Sequence, residues 1–354
     1  MNHAARLDSL RDRLDRALLV GHAPNLHYLT GFTGSLGYLF VPPEGEAVFI
    51  TDGRYGELAQ PLVAALGDAR LAVSTKGLWP AIAETVAGHA EVALEAGGVT
   101  WEFATAFERE TGITPSVGSG AVEEARRTKD ADEIAALRAA AAAGDAAFAR
   151  LGELVAGAAT ESELGWRLID AMREEGAAAA GWEPIVAAGA GASIPHYRSG
   201  TKPLGTWLLL LDYGCTVAGY HSDMSRTVPI VGSFEGEMAT VYRAVAESQQ
   251  AGIDAIAPGV PCGDVDEACR AVLRSYGYEE HFLHSTGHGV GLEIHEAPWL
   301  RRGNDDRLRA GDVVTVEPGV YLPGVGGVRI EDMVLVTPDG PDVLTRSSRE
   351  PTLP

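Results

Sequence analysis

Leu208-Leu-Leu-Leu-Asp-Tyr-Gly214 and Val313-Val-Thr-Val-Glu-Pro-Gly319 decide how this chain is read. Each is an apolar run of strand length that ends in a carboxylate, with a glycine two positions on. An unpaired carboxylate at the end of a buried strand is expensive, so it needs a cation or hydrogen bonds. A second carboxylate follows each on a returning strand. These are Asp223, in Gly219-Tyr-His-Ser-Asp-Met-Ser-Arg-Thr227, and Glu331, in Gly327-Val-Arg-Ile-Glu-Asp-Met-Val334. Upstream, Leu164 to Gly176 and Val265 to Gly277 both read as an amphipathic helix closed by glycine. The pattern is that of two related halves, each delivering a carboxylate pair into one shared cleft.

Four carboxylates facing one cavity repel unless divalent metal neutralises them, and two ions carry the charge required. Bridging carboxylates hold such ions about 3.5–4 Å apart in two-metal hydrolases. A nitrogen ligand is available in His284-Ser-Thr-Gly-His-Gly-Val-Gly291, where glycines on both sides of His288 permit close backbone approach and unusual dihedrals. The predicted metal set is therefore Asp212, Asp223, His288, Glu317 and Glu331. A mostly oxygen shell with one histidine favours Mn2+, with Co2+ and Zn2+ also suited, and the lack of cysteine argues against a structural zinc. Any one strand-end Asp or Glu is normally a solvated turn former; the co-occurrence with a glycine-flanked histidine is what decides. His196 and His295, read singly, are ordinary histidines, and His221 and His281 are read as structural. Arg329, two residues before Glu331, is expected to brace carboxylates by bidentate pairing.

Around this core the chain is organised in two parts. At 354 residues it exceeds the usual size of a single core. Short strands are expected at Ala17 to Gly21, Gly37 to Val41, Ala47 to Thr51 and Val92 to Glu95, with a helix around Trp79 to Gly88, giving a small α/β domain. A boundary is placed near Ser116 to Lys129, dividing residues 1–122 from residues 123–354. A long helix is predicted to start after Asp130, with Glu133 completing a capping box, and a second after Thr160 by the same device with Glu163. The net charge of −21 makes nucleic acid and anionic membrane poor partners. No apolar run reaches membrane-spanning length, no secretory signal is read at the N-terminus, and three cysteines without a CxxC pattern fit a reducing cytoplasm.

These residues resemble the pita-bread metallopeptidases that include methionine aminopeptidase, aminopeptidase P and prolidase. The similarity spans Glu133 to Val336. The N-terminal part is similar to the creatinase-type domain of the proline-specific members, through Asn25-Leu-His-Tyr-Leu-Thr-Gly-Phe-Thr-Gly34 and Thr51-Asp-Gly-Arg-Tyr55. The resemblance implies a creatinase-type α/β domain followed by a pita-bread α+β fold with internal pseudo-twofold symmetry. It implies that Asp212 chelates one metal, that Asp223 and Glu331 bridge both, and that His288 and Glu317 complete the other shell. Glu317 becomes the general base, His295 and His196 contact the scissile carbonyl and the tetrahedral intermediate, and His284, Tyr321 and Arg329 shape the proline pocket. The expected activity is that of an Xaa-Pro aminopeptidase acting on peptides with proline second, in a homodimer. An Xaa-Pro dipeptidase is the alternative, and an inactive pita-bread binding protein or a creatinase-like hydrolase stands behind both. Methionine aminopeptidase is disfavoured by the additional N-terminal domain.

Overall fold

The structure, a computed structural model, describes residues 1–205 and 207–354, which form two compact units, Met1–Arg126 and Arg127–Pro354. In the first, β1 (Ala17–Val20), β2 (Tyr38–Val41), β3 (Ala47–Asp52), β4 (Ala69–Ser74), β5 (Val92–Leu94) and β6 (Ser116–Val117) make one mixed sheet in the order β4-β3-β2-β1-β5-β6. Strand β1 is buried throughout because it lies inside the sheet, antiparallel to β2 and parallel to β5. Helices α1 (His3–Arg11), α2 (Ala23–Thr30), α3 (Gly56–Ala64), α4 (Leu78–Val86), α5 (Trp101–Thr111) and α6 (Ala121–Arg127) accompany it. Leu19, Phe40, Ile50, Ile82 and Phe107 share its core. The stretch beginning Asn25-Leu-His-Tyr belongs to α2, which ends where Gly31 adopts the left-handed conformation that glycine tolerates best.

The second unit opens with α7 (Ala131–Ala149), and both arms of its capping box are closed: Asp130 accepts from the Glu133 N–H, and Glu133 accepts from the Asp130 N–H. A short helix, α8 (Leu151–Ala156), intervenes before α9 (Glu161–Glu174). There the predicted box is only half formed. Thr160 accepts from the Glu163 N–H, but the Glu163 carboxylate reaches one residue further back and accepts from Ala159.

The strands that follow are β7 (Ala179–Ala180), β8 (Ile185–Ala188), β9 (Leu209–Tyr213), β10 (Cys215–Val217), β11 (Tyr220–His221) and β12 (Met224–Val228). After α10 (Gly236–Asp254) and α11 (Cys262–Ser275) come β13 (Gly287–Gly289), β14 (Glu296–Leu300), β15 (Val313–Val316), β16 (Gly319–Leu322), β17 (Gly326–Arg329), β18 (Asp332–Thr337) and β19 (Gly340–Val343). Two antiparallel triplets dominate, β8-β9-β12 and β13-β15-β18, each with its carboxylate-bearing strand in the centre. The alternation of a strand splits β9 between two cores. Leu209, Leu211 and Tyr213 pack with Ala147, Leu164 and Leu168 of α7 and α9. Leu208 and Leu210 belong to the other core, with Val265 and Leu273 of α11 and with Val314 and Val316 of β15. The repeat read from the sequence thus corresponds to α9 with β8-β9-β12 and α11 with β13-β15-β18.

Strand limits differ from expectation by a residue or two. Asp212 is not the last residue of its strand but the fourth of five: the ladder extends to the Tyr213–Met224 pair. The reason is Tyr213, whose buried ring and hydroxyl bond to the Gly144 carbonyl, at 3.1 Å, hold the chain extended. Asp223 and Glu331 each stand one residue before the strand they were placed on.

Candidate metal centre

The two triplets bring the predicted carboxylates together from separate positions in the chain. Ser225 lies opposite Asp212 in the β9–β12 register, so Asp223, two residues earlier, projects from the same face. In the second triplet Val316 opposes Asp332, and Glu317 and Glu331 sit one step beyond that pair. His288 occupies the middle of β13, held by its backbone N–H donating to Thr315 Oγ1 at 3.1 Å. The glycines beside it serve close approach alone. A Cβ on Gly287 would collide with the Thr315 carbonyl and one on Gly289 with the Ala297 carbonyl, while neither residue has a positive φ. The expectation of unusual dihedrals there is corrected accordingly: crowding between neighbouring strands is what demands glycine.

Asp223, His288 and Glu331 present ligand atoms that all lie within 4.8 Å of one another, and all three residues are buried. His288 Nε2 stands 3.3 Å from Glu317 Oε1 and 3.7 Å from Asp223 Oδ2. Its Nδ1 faces the Gly289 carbonyl at 3.1 Å, an acceptor, so the Nδ1 proton is fixed and Nε2 is directed at the carboxylates. These residues and Asp212 line one cavity of about 460 Å³ together with His196, His284, His295 and Arg329. Trp182, Ile185, Ile294 and Trp299 supply its apolar wall. The His295 ring meets the His288 ring edge-on, with centroids 4.3 Å apart. Tyr321 lies behind the wall, fully buried. Its hydroxyl accepts from Arg329 Nη1 at 2.8 Å and is 2.7 Å from His284 Nε2. His284 Nδ1 faces the Ser285 carbonyl, so Nε2 is the ring's acceptor and the tyrosine hydroxyl donates to it.

Arg329 does not make the bidentate carboxylate pair expected from the sequence. Its three nitrogens diverge: Nη2 reaches Asp212 Oδ2 at 2.5 Å, Nε donates to Ser225 Oγ at 2.8 Å, and Nη1 serves Tyr321 and the Pro195 carbonyl. It sits between three elements, so one carboxylate cannot claim both ends of the fork.

The electrostatics follow from burying this much negative charge. Burial, reinforced by Glu331, Asp212 and Glu317, drives Asp223 well above the ordinary carboxylate range. Burial with Glu317 and Asp212 nearby does the same to Glu331. Asp212 is raised too, because burial outweighs the adjacent Arg329 guanidinium. Glu317 alone goes the other way: burial pushes it up, but the hydrogen bond and charge of His288 prevail and hold it at about 2. His288 is raised in turn, the Glu317 bond overcoming the effect of burial. Acids driven toward their neutral forms beside an imidazole drawn to its charged form mark a donor set richer in anions than the protein's own cations can balance. Divalent ions fit that deficit, and the mostly oxygen donor set with one nitrogen suits them.

Two residues that hydrogen-bond to the predicted carboxylates, and four that line the apolar wall, are not among those singled out from the sequence. Ser225 and Thr315 each stand two residues from a predicted ligand, Asp223 and Glu317, and period-two alternation puts them on the same face. That signal was available. Trp182, Ile185, Ile294 and Trp299 carried none, since apolar residues on strands and loops are ordinary core or surface residues until the fold turns them inward.

Comparison with known proteins agrees with this architecture. The model of metallopeptidase family M24 matches residues 135–338, and that of the creatinase/prolidase N-terminal domain matches residues 6–128. An Xaa-Pro dipeptidase from Bacillus anthracis superimposes with a TM-score of 0.93 at 33% identity, covering 99% of each chain. An X-Pro aminopeptidase from Thermotoga maritima does so with 0.86 at 30% identity, covering 96% of this chain and 98% of its own. The Xaa-Pro dipeptidase of Pyrococcus horikoshii is 28% identical over 94% of this chain and 93% of its own. The chain belongs to metallopeptidase family M24. It is a metallo-exopeptidase acting on peptides, with a creatinase-type N-terminal domain before a pita-bread domain, and its family implies divalent metal ions. No helix among the described residues is long and apolar enough to cross a membrane.

Proposed function

We propose that this chain is an Xaa-Pro aminopeptidase, releasing the first residue from peptides with proline second, with two divalent ions held by Asp212, Asp223, His288, Glu317 and Glu331. Mn2+ suits the oxygen-rich set best. One observation carries the choice of aminopeptidase. Arg329 is the only arginine or lysine lining the cavity among the described residues, and each of its nitrogens is already engaged within the protein. An Xaa-Pro dipeptide would bring a free carboxylate into this acidic cavity without a cation to meet it. A longer peptide brings a neutral amide.

When bound, the ions supply Lewis acidity at the scissile carbonyl and lower the pKa of the attacking water. Glu317 takes the proton from that water and passes it to the departing proline nitrogen. Burial, together with the neighbouring His288, keeps His295 below the ordinary histidine range, so it is a neutral donor near pH 7, and with His196 it faces the developing oxyanion. The His284–Tyr321–Arg329 chain fixes the polar side of the proline pocket, and burial keeps His284 neutral as an acceptor of the Tyr321 proton. Three free, buried cysteines agree with a cytoplasmic location, and a homodimer is the assembly that the family resemblance supports.

The dipeptidase reading draws on the relatives from B. anthracis and P. horikoshii that bear that name. An assay with added Mn2+ comparing an Xaa-Pro dipeptide with an Xaa-Pro-Yaa tripeptide separates the two. Turnover of the tripeptide is expected; activity confined to the dipeptide overturns the proposal. Metal analysis finding no bound or activating divalent ion would favour the inactive or creatinase-like readings instead.

A further inference from the structure

The strand that follows Asp223 presents three residues on one face, Asp223, Ser225 and Thr227, and each engages the Arg329–Glu331 segment or its cavity. Thr227 Oγ1 accepts the backbone N–H of Arg329 and donates to its carbonyl, both at 3.1 Å, so a side chain stands in for a ladder pair between strands of different sheets. One step closer to the cavity, the Ser225 carbonyl accepts the Glu331 N–H at 3.1 Å. The Ser225 hydroxyl is fully buried and has two partners. It accepts from Arg329 Nε at 2.8 Å and donates to Glu331 Oε2 at 2.7 Å.

We infer that Ser225 is a positioning residue that joins the metal-ligand carboxylates to the proline pocket. Through its hydroxyl, Glu331 is tied to Arg329, whose other nitrogens hold Asp212 and Tyr321, and Tyr321 in turn holds His284. The direction of the bonds is fixed. A guanidinium can only donate, so the serine oxygen must accept from it, and the single hydroxyl proton is left for Glu331. That bond orients one oxygen of Glu331. Accepting from a charged donor strengthens the hydroxyl as a donor, so the two bonds reinforce each other. Alanine at 225 would leave Arg329 Nε and Glu331 Oε2 without these partners. Threonine would keep the hydroxyl.

The inference rests on the metal reading given under Proposed function, and a titration of chelator-stripped protein with Mn2+ alone tests the two separately. Ser225→Ala is expected to weaken the Mn2+ affinity by about 10- to 100-fold, the range usual for loss of a residue that orients a metal ligand. It should lower kcat for an Xaa-Pro-Yaa tripeptide at saturating Mn2+, and Ser225→Thr should restore most of both. The melting temperature of the stripped S225A protein should stay close to that of stripped wild type. Wild-type protein that binds no Mn2+ would remove the metal reading itself. Wild type and S225A binding Mn2+ alike, with equal kcat, would overturn the inference while leaving the metal reading standing. A stripped S225A protein that has lost its cooperative melt overturns it as well, because the serine would then be serving the fold alone.

Discussion

The two triplets of the catalytic unit, β8-β9-β12 and β13-β15-β18, are alike in topology and unlike in chemistry. Each places a carboxylate on or just past its central strand and another just before an outer strand. The third strands differ. Strand β8 turns Ile185 to the cavity, opposite Asp212, where β13 turns His288, and only β13 carries glycines that let its backbone crowd against neighbouring carbonyls. Bracing follows the same division: Asp212 leans on Arg329, Glu317 on His288. Duplication therefore supplies matched negative charge, and a single strand breaks the match by contributing nitrogen. The two ions proposed for this cleft would have unequal surroundings, and the carboxylate beside the histidine is the one held low.

The largest expected effect tests that inequality. Glu317→Ala should lower kcat for an Xaa-Pro-Yaa tripeptide by about 10⁴-fold, since it would remove the proposed general base and a proposed ligand together. Its counterpart Asp212→Asn, which keeps an oxygen donor, should lose only about 100-fold. Equal losses in parallel Mn2+-saturated assays would mean the halves are interchangeable. Next comes the crowding. Gly289→Ala in β13 should cost about 3 kcal/mol, as overpacking against a backbone carbonyl does. Ala187→Gly in the matching strand should cost about 1 kcal/mol. Urea unfolding curves showing the reverse order would deny β13 its special role.

A third prediction concerns pH. Asp223, Glu331 and His288 all have folded-state pKa values above their ordinary ones, so the folded metal-free protein binds more protons than the unfolded chain. Their contribution to stability should then be fully present at low pH and be lost as pH rises above about 4, through the raised values. Glu317, lowered to about 2, acts oppositely, but its contribution is lost only as pH falls from 4.5 toward 2, outside that window. Mn2+ favours the ionised ligands, so the gain in Tm on adding it should grow with pH. A gain that is flat from pH 5 to 8 would show that these buried acids are not the ligands. The smallest effect concerns the apolar walls, Trp182 from the first half and Trp299 from the second. Trp299→Arg would give a dipeptide's carboxylate a cation, improving dipeptide over tripeptide kcat/KM by about tenfold, the equivalent of one charge-assisted hydrogen bond. An unchanged ratio would place the carboxylate elsewhere.

Much of the centre was legible because carboxylates at strand ends, glycines about a histidine and a repeated helix–strand order are local patterns. The ten predicted site residues all lie in or directly behind one cavity. Ser225 and Thr315 were legible in principle, through the two-residue alternation that places them beside Asp223 and Glu317. The divergent fork of Arg329 was not, because its partners come from four separate stretches, at Pro195, Asp212, Ser225 and Tyr321.

The sequence by itself determined the elements, their duplicated order and the types of group available, since these depend on side-chain periodicity, caps and turns within a few residues. Only the tertiary structure decided what each group does. Strand register sets Ser225 against Asp212 and Glu317 beside Glu331, and a shift of one residue would turn either set away from the cavity. Burial then makes ordinary carboxylates a candidate cation site, because charge removed from water must be balanced by whatever lies within a few ångströms. Those neighbours are remote in the chain and close only in the fold.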